Sequence, residues 1–291
     1  MSTHAVRHHY GPSAIGGDLR RFAELTLTLA RTEFKLRYFG SVLGYVWSLV
    51  RPLLFFGVIL LVFSKIFHFR GSGPHSPRHY PVYLLTGIVL WTYFGEATAG
   101  CVSCLVDREG LLRKVRFPRM VIPLSVSLTA LFNLGMNFIA VIVFALASGI
   151  APRLQWLELI PIALGFVVLA TGIGMLLSAL YVRFRDIKPI WEVIAQVLFY
   201  ISPIMYPASV YLGQQGLGHD YRLQHIALLN PPATLLTQMG HAFIDPVRGQ
   251  SAAAAAGGAV RLIIPLGLIV AIFALGWWVF TREAPRVAEN L

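Results

Sequence analysis

Charge is scarce in this chain. Only 13% of its 291 residues are Asp, Glu, Lys or Arg, and what is missing narrows the chemistry available. The lysines are Lys35, Lys65, Lys114 and Lys188, and none follows a glycine. A phosphate-wrapping loop of the Walker A type, which needs Gly-Lys, is therefore absent, and the chain is not expected to hydrolyse ATP by itself. Asp18, Asp107, Asp186, Asp220 and Asp245 are the only aspartates. They never stand close enough to hold a divalent metal on a sugar nucleotide, which argues against a metal-dependent glycosyltransferase. No G-x-S-x-G nucleophile elbow occurs. Cysteine is limited to Cys101 and Cys104. Their C-x-x-C spacing could serve redox chemistry or half a zinc site, but no second pair completes four ligands and they end an apolar stretch, so packing is expected and no metal.

What the chain has in abundance is apolar length. Hydrophobic residues make up 56% and mean hydropathy is +0.68, which places it among integral membrane proteins. The formal charge of +11 does not point to nucleic acid, because the basic residues cluster at the ends of apolar segments, where they anchor helices to headgroups. The uncharged run Val121 to Ala147 is long enough to cross the ~30 Å hydrocarbon core as a helix. Six such segments are expected: Val46 to Phe67, Tyr80 to Val102, Val121 to Ala147, Leu159 to Tyr181, Ile190 to Tyr206 and Val260 to Phe280. The predicted fold is thus all-α, with a flexible N-terminus over 1–18, an interface helix over 19–41, a membrane domain over 42–281 and a tail over 282–291. Arginine and lysine crowd the N-terminal region, the segment between spans two and three, the turn after span four and the C-terminus. That bias puts both termini in the cytoplasm, and no signal peptide is apparent before Asp18.

Between Leu19 and Leu36 the residues Phe22, Leu25, Leu29 and Leu36 form an apolar stripe, with Arg20, Glu24, Arg31 and Lys35 opposite. An amphipathic helix lying on the membrane surface against lipid is expected. Pro203, Pro207, Pro231 and Pro232 interrupt apolar sequence at the outer end of span five and between spans five and six. Re-entrant helices are expected there, provided that protein or water satisfies the freed backbone groups. Two carboxylates fall within apolar segments. Glu192 has Arg183, Arg185 and Lys188 nearby, whereas Glu96 must either face a wet cavity or pair with a cation.

Four local patterns then stand in order along the chain. Arg37-Tyr38-Phe39-Gly40-Ser41-Val42-Leu43-Gly44-Tyr45-Val46-Trp47-Ser48-Leu49-Val50-Arg51-Pro52-Leu53 leads into the first span. Leu111-Leu112-Arg113-Lys114-Val115-Arg116-Phe117-Pro118-Arg119 comes after the second, with Pro123 and Leu124 beyond it. Tyr181-Val182-Arg183-Phe184-Arg185-Asp186-Ile187 ends the fourth, and the fifth carries Ser202-Pro203 and Tyr206-Pro207. Together these resemble the permease subunit of ABC type-2 transporters that export polysaccharides, the group including O-antigen, capsule and teichoic-acid exporters.

The resemblance implies a homodimer working with a separate ABC ATP-binding subunit, which would hold the ATP and Mg; this chain would bind no cofactor of its own. Asp107 to Arg116 would be the coupling helix, capped by Asp107, with Leu111, Leu112 and Val115 filling a groove on the ATPase while Arg113, Lys114 and Arg116 meet acidic residues at its rim. The cargo would be a glycan carried on a polyprenyl pyrophosphate. Trp47, Phe55, Trp91, Phe94, Tyr200 and Tyr206 are candidates to line its path by stacking on sugar faces, or else anchor span ends at the interface. Arg37, Arg51 and Arg113 are candidates for the pyrophosphate, since guanidinium suits bidentate phosphate contact. Rival readings are an ABC exporter of a drug or small lipid, an ion-coupled carrier using Glu96 or Glu192, and a glycan-modifying enzyme drawing on His68, His75 or His79.

Overall fold

The computed structural model describes residues 18–38, 42–66, 79–114, 117–208, 221–245 and 249–283, and every regular element among them is helical. The long helices are α1 (Leu19–Tyr38), α2 (Val42–Leu61, prolonged by a π-helical turn over Val62–Ile66), α3 (Tyr80–Val102), α6 (Val121–Ala147), α7 (Leu159–Arg183), α8 (Ile187–Ile201) and α12 (Ile263–Glu283). Shorter ones are α4 (Cys104–Asp107), α5 (Glu109–Lys114), α9 (Tyr221–Ala227), α10 (Pro231–Met239) and α11 (Ala252–Ala256). The predicted flexible N-terminus falls outside the described residues except for Asp18, as does the tail beyond Glu283.

Four of the six expected segments are helices long and apolar enough to cross a membrane: Val46–Lys65, Val121–Ala147, Leu154–Arg183 and Ala259–Glu283. The other two differ for separate reasons. Helix α3 has the length, 23 residues, but Glu96 and its tyrosines dilute its hydropathy. Helix α8 has 15 residues, a rise of about 22 Å, because Pro203 restricts Ser202 to the extended backbone found there (φ −79°, ψ 144°) and so stops the helix.

Helix α3 is the axis of the bundle, with every residue from Val82 to Leu90 buried. It packs on α2, α6, α7 and α8, and α7 in turn packs on α12. The α7–α12 seam depends on two glycines: a Cβ on Gly172 would lie 2.6 Å from Phe273 Cα, and one on Gly276 would meet the backbone of Gly172. Residues without side chains let the two helices approach so closely. A Cβ on Gly174 would lie 2.8 Å from Cys101 Sγ, and that thiol donates to the Pro123 carbonyl at 3.4 Å. Both cysteines are free and buried, filling the α3–α6–α7 contact as expected.

After α8 the chain turns into the bundle rather than continuing, and Ser202, Pro203 and Ile204 are buried. The carbonyls that lose helical partners are taken up by α3. Tyr80 Oη donates to the Met205 carbonyl at 2.7 Å, and Tyr83 Oη lies against those of Pro203 and Tyr206. This is the satisfaction that broken backbone needs wherever water is excluded. Helix α10 is buried along nearly its whole length beside α7 and α12. It is tied down by Gln238, whose Nε2 donates to Glu158 Oε2 at 2.6 Å while its Oε1 accepts the Ala252 amide at 2.9 Å.

Candidate functional site

The basic segment after α3 does not form one helix. Helix α3 stops at Val102, Ser103 Oγ donates to Asp107 Oδ2 at 2.7 Å, and α4 spans only four residues. Asp107 thus ends α4 and does not cap the coupling helix, correcting the expected start. Helix α5 begins instead on Arg108, whose carbonyl accepts the amides of Leu111 and Leu112 at 3.0 Å each. Of the two leucines expected to meet a partner, Leu111 is exposed, whereas Leu112 packs against the cluster of Cys104, Leu105, Met120 and Ile122. Leu112 therefore belongs partly to this chain's own core. Lys114 is exposed, and Val115, Arg116 and the side chain of Arg113 lie outside the described residues.

Helix α1 lies along α6, and most of the stripe expected to meet lipid is turned away from that contact. Thr26, Ala30 and Tyr38 are the buried residues, while Leu25 and Leu36 are exposed. Phe22 and Phe34 join the buried residues on the protein side, Phe34 edge-on to Phe132 of α6 at 5.7 Å, and Leu25 and Leu36 lie on the side left open. The Ala30 carbonyl accepts from Thr129 Oγ1 at 3.3 Å, an approach that the short side chain of Ala30 permits.

The polar contacts of α1 account for Glu96. Arg37 Nη1 lies 3.6 Å from Glu96 Oε2, the same oxygen that accepts Asn133 Nδ2 at 2.9 Å, and Tyr38 Oη donates to Asn133 Oδ1 at 2.7 Å. Of the two alternatives open for Glu96, pairing with a cation is the one seen. Sequence reasoning gives neither Tyr38 nor Asn133 a role, although the Arg-Tyr pair opening the first motif was a signal. Four residues before Arg37, Glu33 Oε1 accepts Arg108 Nη2 at 2.5 Å with both side chains about three-quarters buried. Burial holds the Glu33 carboxyl above its ordinary range, and the Arg108 and Arg37 guanidiniums offset this only in part.

Of the phosphate candidates, Arg37 is paired with Glu96 and Arg51 is exposed on α2.

The aromatic candidates are brought together more closely. Phe55 of α2 stands 6.1 Å from Phe199 of α8, which is 5.6 Å from Trp91 of α3 and 5.3 Å from Tyr200. Trp47, Phe55 and Tyr200 are exposed, and Tyr206 Oη donates to the Tyr200 carbonyl at 2.5 Å. Phe94 is fully buried between Trp91, Phe166 and Trp191. It is a core residue and lines no path. Phe199, which links α2 to α3, escapes sequence reasoning because nothing in an apolar run marks which aromatic bridges two helices.

Residues 24–215 match the family model described as ABC-2 type transporter, a range that runs from within α1 to beyond α8. The chain is 27% identical over 269 residues to the O-antigen export system permease protein RfbA of Klebsiella pneumoniae, covering 92% of this chain and 95% of that protein. It is 29% identical over 229 residues to the Myxococcus xanthus protein of the same name, covering 78% and 83%. The polysialic acid transport protein KpsM of Escherichia coli is 24% identical over 177 residues, 60% of this chain and 67% of its own length.

Proposed function

This chain belongs to the ABC-2 type transporter family, and we propose from that premise that it is the membrane-embedded permease subunit of an ATP-driven exporter of polysaccharide. The observation that carries this reading is its similarity over nearly full length to O-antigen export permeases. An ABC ATP-binding subunit is the partner the family implies, and in our reading that subunit holds the ATP and Mg. The exposed Leu111 and Lys114 on α5 are suited to meet it, an apolar contact rimmed by positive charge.

The finer reading is a homodimer in the bacterial inner membrane with both termini cytoplasmic, six spans counting α3 and α8, and α9–α11 as outer re-entrant helices. The exposed faces of α2 and α8, which carry Trp47, Phe55, Val197 and Tyr200, are apolar enough to meet a second copy or to line a path between two copies. The cargo in this reading is a glycan on a polyprenyl pyrophosphate. Exposed Arg51 is the better-placed guanidinium for its head group, because Arg37 already faces Glu96. The same pairing gives Glu96 partners within this chain, which supports a structural role for it over use by an ion-coupled carrier.

The test is co-purification of the permease with its ATPase, followed by glycan export driven by ATP in vesicles. Leu111→Asp is expected to weaken association at least tenfold while leaving the permease folded, and Arg51→Ala to slow export of pyrophosphate-linked glycan severalfold. Export that proceeds without any ATPase would overturn the reading in favour of an ion-coupled carrier. Unchanged export in Arg51→Ala would remove the pyrophosphate role alone.

A further inference from the structure

Movement of the ATPase would reach this chain at α5, yet α5 is not rigidly joined to the spans on its N-terminal side. Helix α3 ends at Val102, Ser103 interrupts the chain, and the four residues of α4 stand between it and α5. On that side a displacement of α5 reaches the spans only across these breaks and through Leu112 and α4, which pack on α6 and α7, and a second element could carry it past the breaks to the middle of the bundle. Helix α1 is placed to do so.

Within six residues, Glu33 to Tyr38, α1 holds the root of α5 and the middle of the bundle at once. Glu33 accepts Arg108 Nη2 at 2.5 Å, and the Arg108 carbonyl is itself the acceptor that starts α5. About one turn further along the same unbroken helix, Tyr38 donates to Asn133 of α6 at 2.7 Å, Asn133 donates to Glu96 of α3 at 2.9 Å, and Arg37 stands 3.6 Å from that carboxylate. These contacts join residues distant in sequence. By contrast the exposed pair of Arg20 and Glu24, one turn apart within α1, links the helix only to itself. The Glu33–Arg108 bond is charge-assisted and mostly shielded from water, so it resists displacement better than a surface pair.

We infer that α1 is a strut that carries displacement of the coupling helix past the break at Ser103 into α3 and α6, with Glu33 and Arg108 as one anchor and Tyr38, Asn133 and Glu96 as the other. These are positioning residues: they need touch neither ATP nor cargo. The inference rests on the export function proposed above. It assigns to the α1 helix a mechanical task in addition to resting on the membrane.

The experiment measures glycan exported per ATP hydrolysed by the permease–ATPase complex in vesicles, for wild type, Glu33→Arg, Arg108→Glu and the charge-swapped double variant. Each single reversal is expected to lower that ratio at least fivefold while ATP hydrolysis stays within twofold, and the swap to restore it to within twofold of wild type. A purely structural role would lower hydrolysis and export together, leaving the ratio unchanged. Should a reversal fail to assemble, Glu33→Gln keeps the side-chain volume, and the same loss of ratio is expected. Normal coupling in Glu33→Arg or Glu33→Gln, or no rescue by the swap, overturns the strut while leaving the export reading intact. A wild-type complex that hydrolyses ATP and moves no glycan overturns both.

Discussion

Of the long helices expected to span, the one that suits lipid least is the one the fold encloses most. Helix α3 is less apolar than the four clear spans, yet its residues from Val82 to Leu90 are all buried, and Tyr80, Tyr83 and Glu96 all find partners inside the bundle. The spans Val46–Lys65 and Ala259–Glu283, with mean hydropathies of 2.2 and 2.4, have only 17% of their most apolar stretches buried. Apolarity here describes the solvent a helix tolerates and says nothing of whether protein covers it. Lipid is as good a neighbour as leucine, so in a membrane the contacts that choose partners are polar groups and close backbone approaches.

That contrast can be broken at the seam joining α7 to α12. Gly172→Leu drives a side chain into the Phe273 backbone, at an expected cost of about 3 kcal/mol or more. Folded protein should be lost in fluorescence-detected size exclusion, and a wild-type yield would show that the α7–α12 seam can open freely. A smaller effect sharpens the comparison between two exposed faces. Val197→Arg on α8 and Val270→Arg on α12 replace residues that are both at least half exposed, but only the first lies on the face proposed to meet a second copy. Cross-linking should find dimer reduced about tenfold for Val197→Arg alone, and equal effects would remove the distinction.

The smallest expected effect concerns the anchor of α1. Because folding raises the Glu33 pKa, the folded state binds its proton more readily than the unfolded chain does. The stability this contributes is full below the ordinary carboxylate range and is lost as pH rises through the raised value. The melting temperature of wild type relative to Glu33→Gln should therefore be higher at pH 4 than at pH 7, by a few degrees at most. The opposite trend would mean that Arg108 dominates over burial.

Helix positions are legible in the sequence because apolar runs and their basic ends are one-dimensional features, and Val121–Ala147 is found with the limits expected. Span five reads too long because Pro203 acts on Ser202, and the turn inward is stabilised by Tyr80 and Tyr83, more than a hundred residues away. The candidate site is legible in parts. The basic segment proposed to couple to an ATPase is recognisable from its motif, but its helix starts after Arg108 rather than at Asp107, since Ser103 captures the carboxylate expected to cap it. In α1 the leucine stripe is legible from periodicity, and Leu25 and Leu36 are left exposed, whereas the face that packs on α6, with Thr26, Ala30 and Tyr38, carries no periodic apolar signal.

The sequence by itself determined that this is a membrane protein, that it lacks the loop needed to hydrolyse ATP, and which family it joins. Those conclusions rest on transfer free energies and motif chemistry, which depend on residue type and local order. Tertiary structure alone decided that Glu96 is held by Arg37 and Asn133, that Phe94 is core while Phe199 bridges helices, and that Leu112 faces inward while Leu111 does not. Each of these turns on what stands within a few ångströms across helices distant in sequence, and close approach is a property of packing.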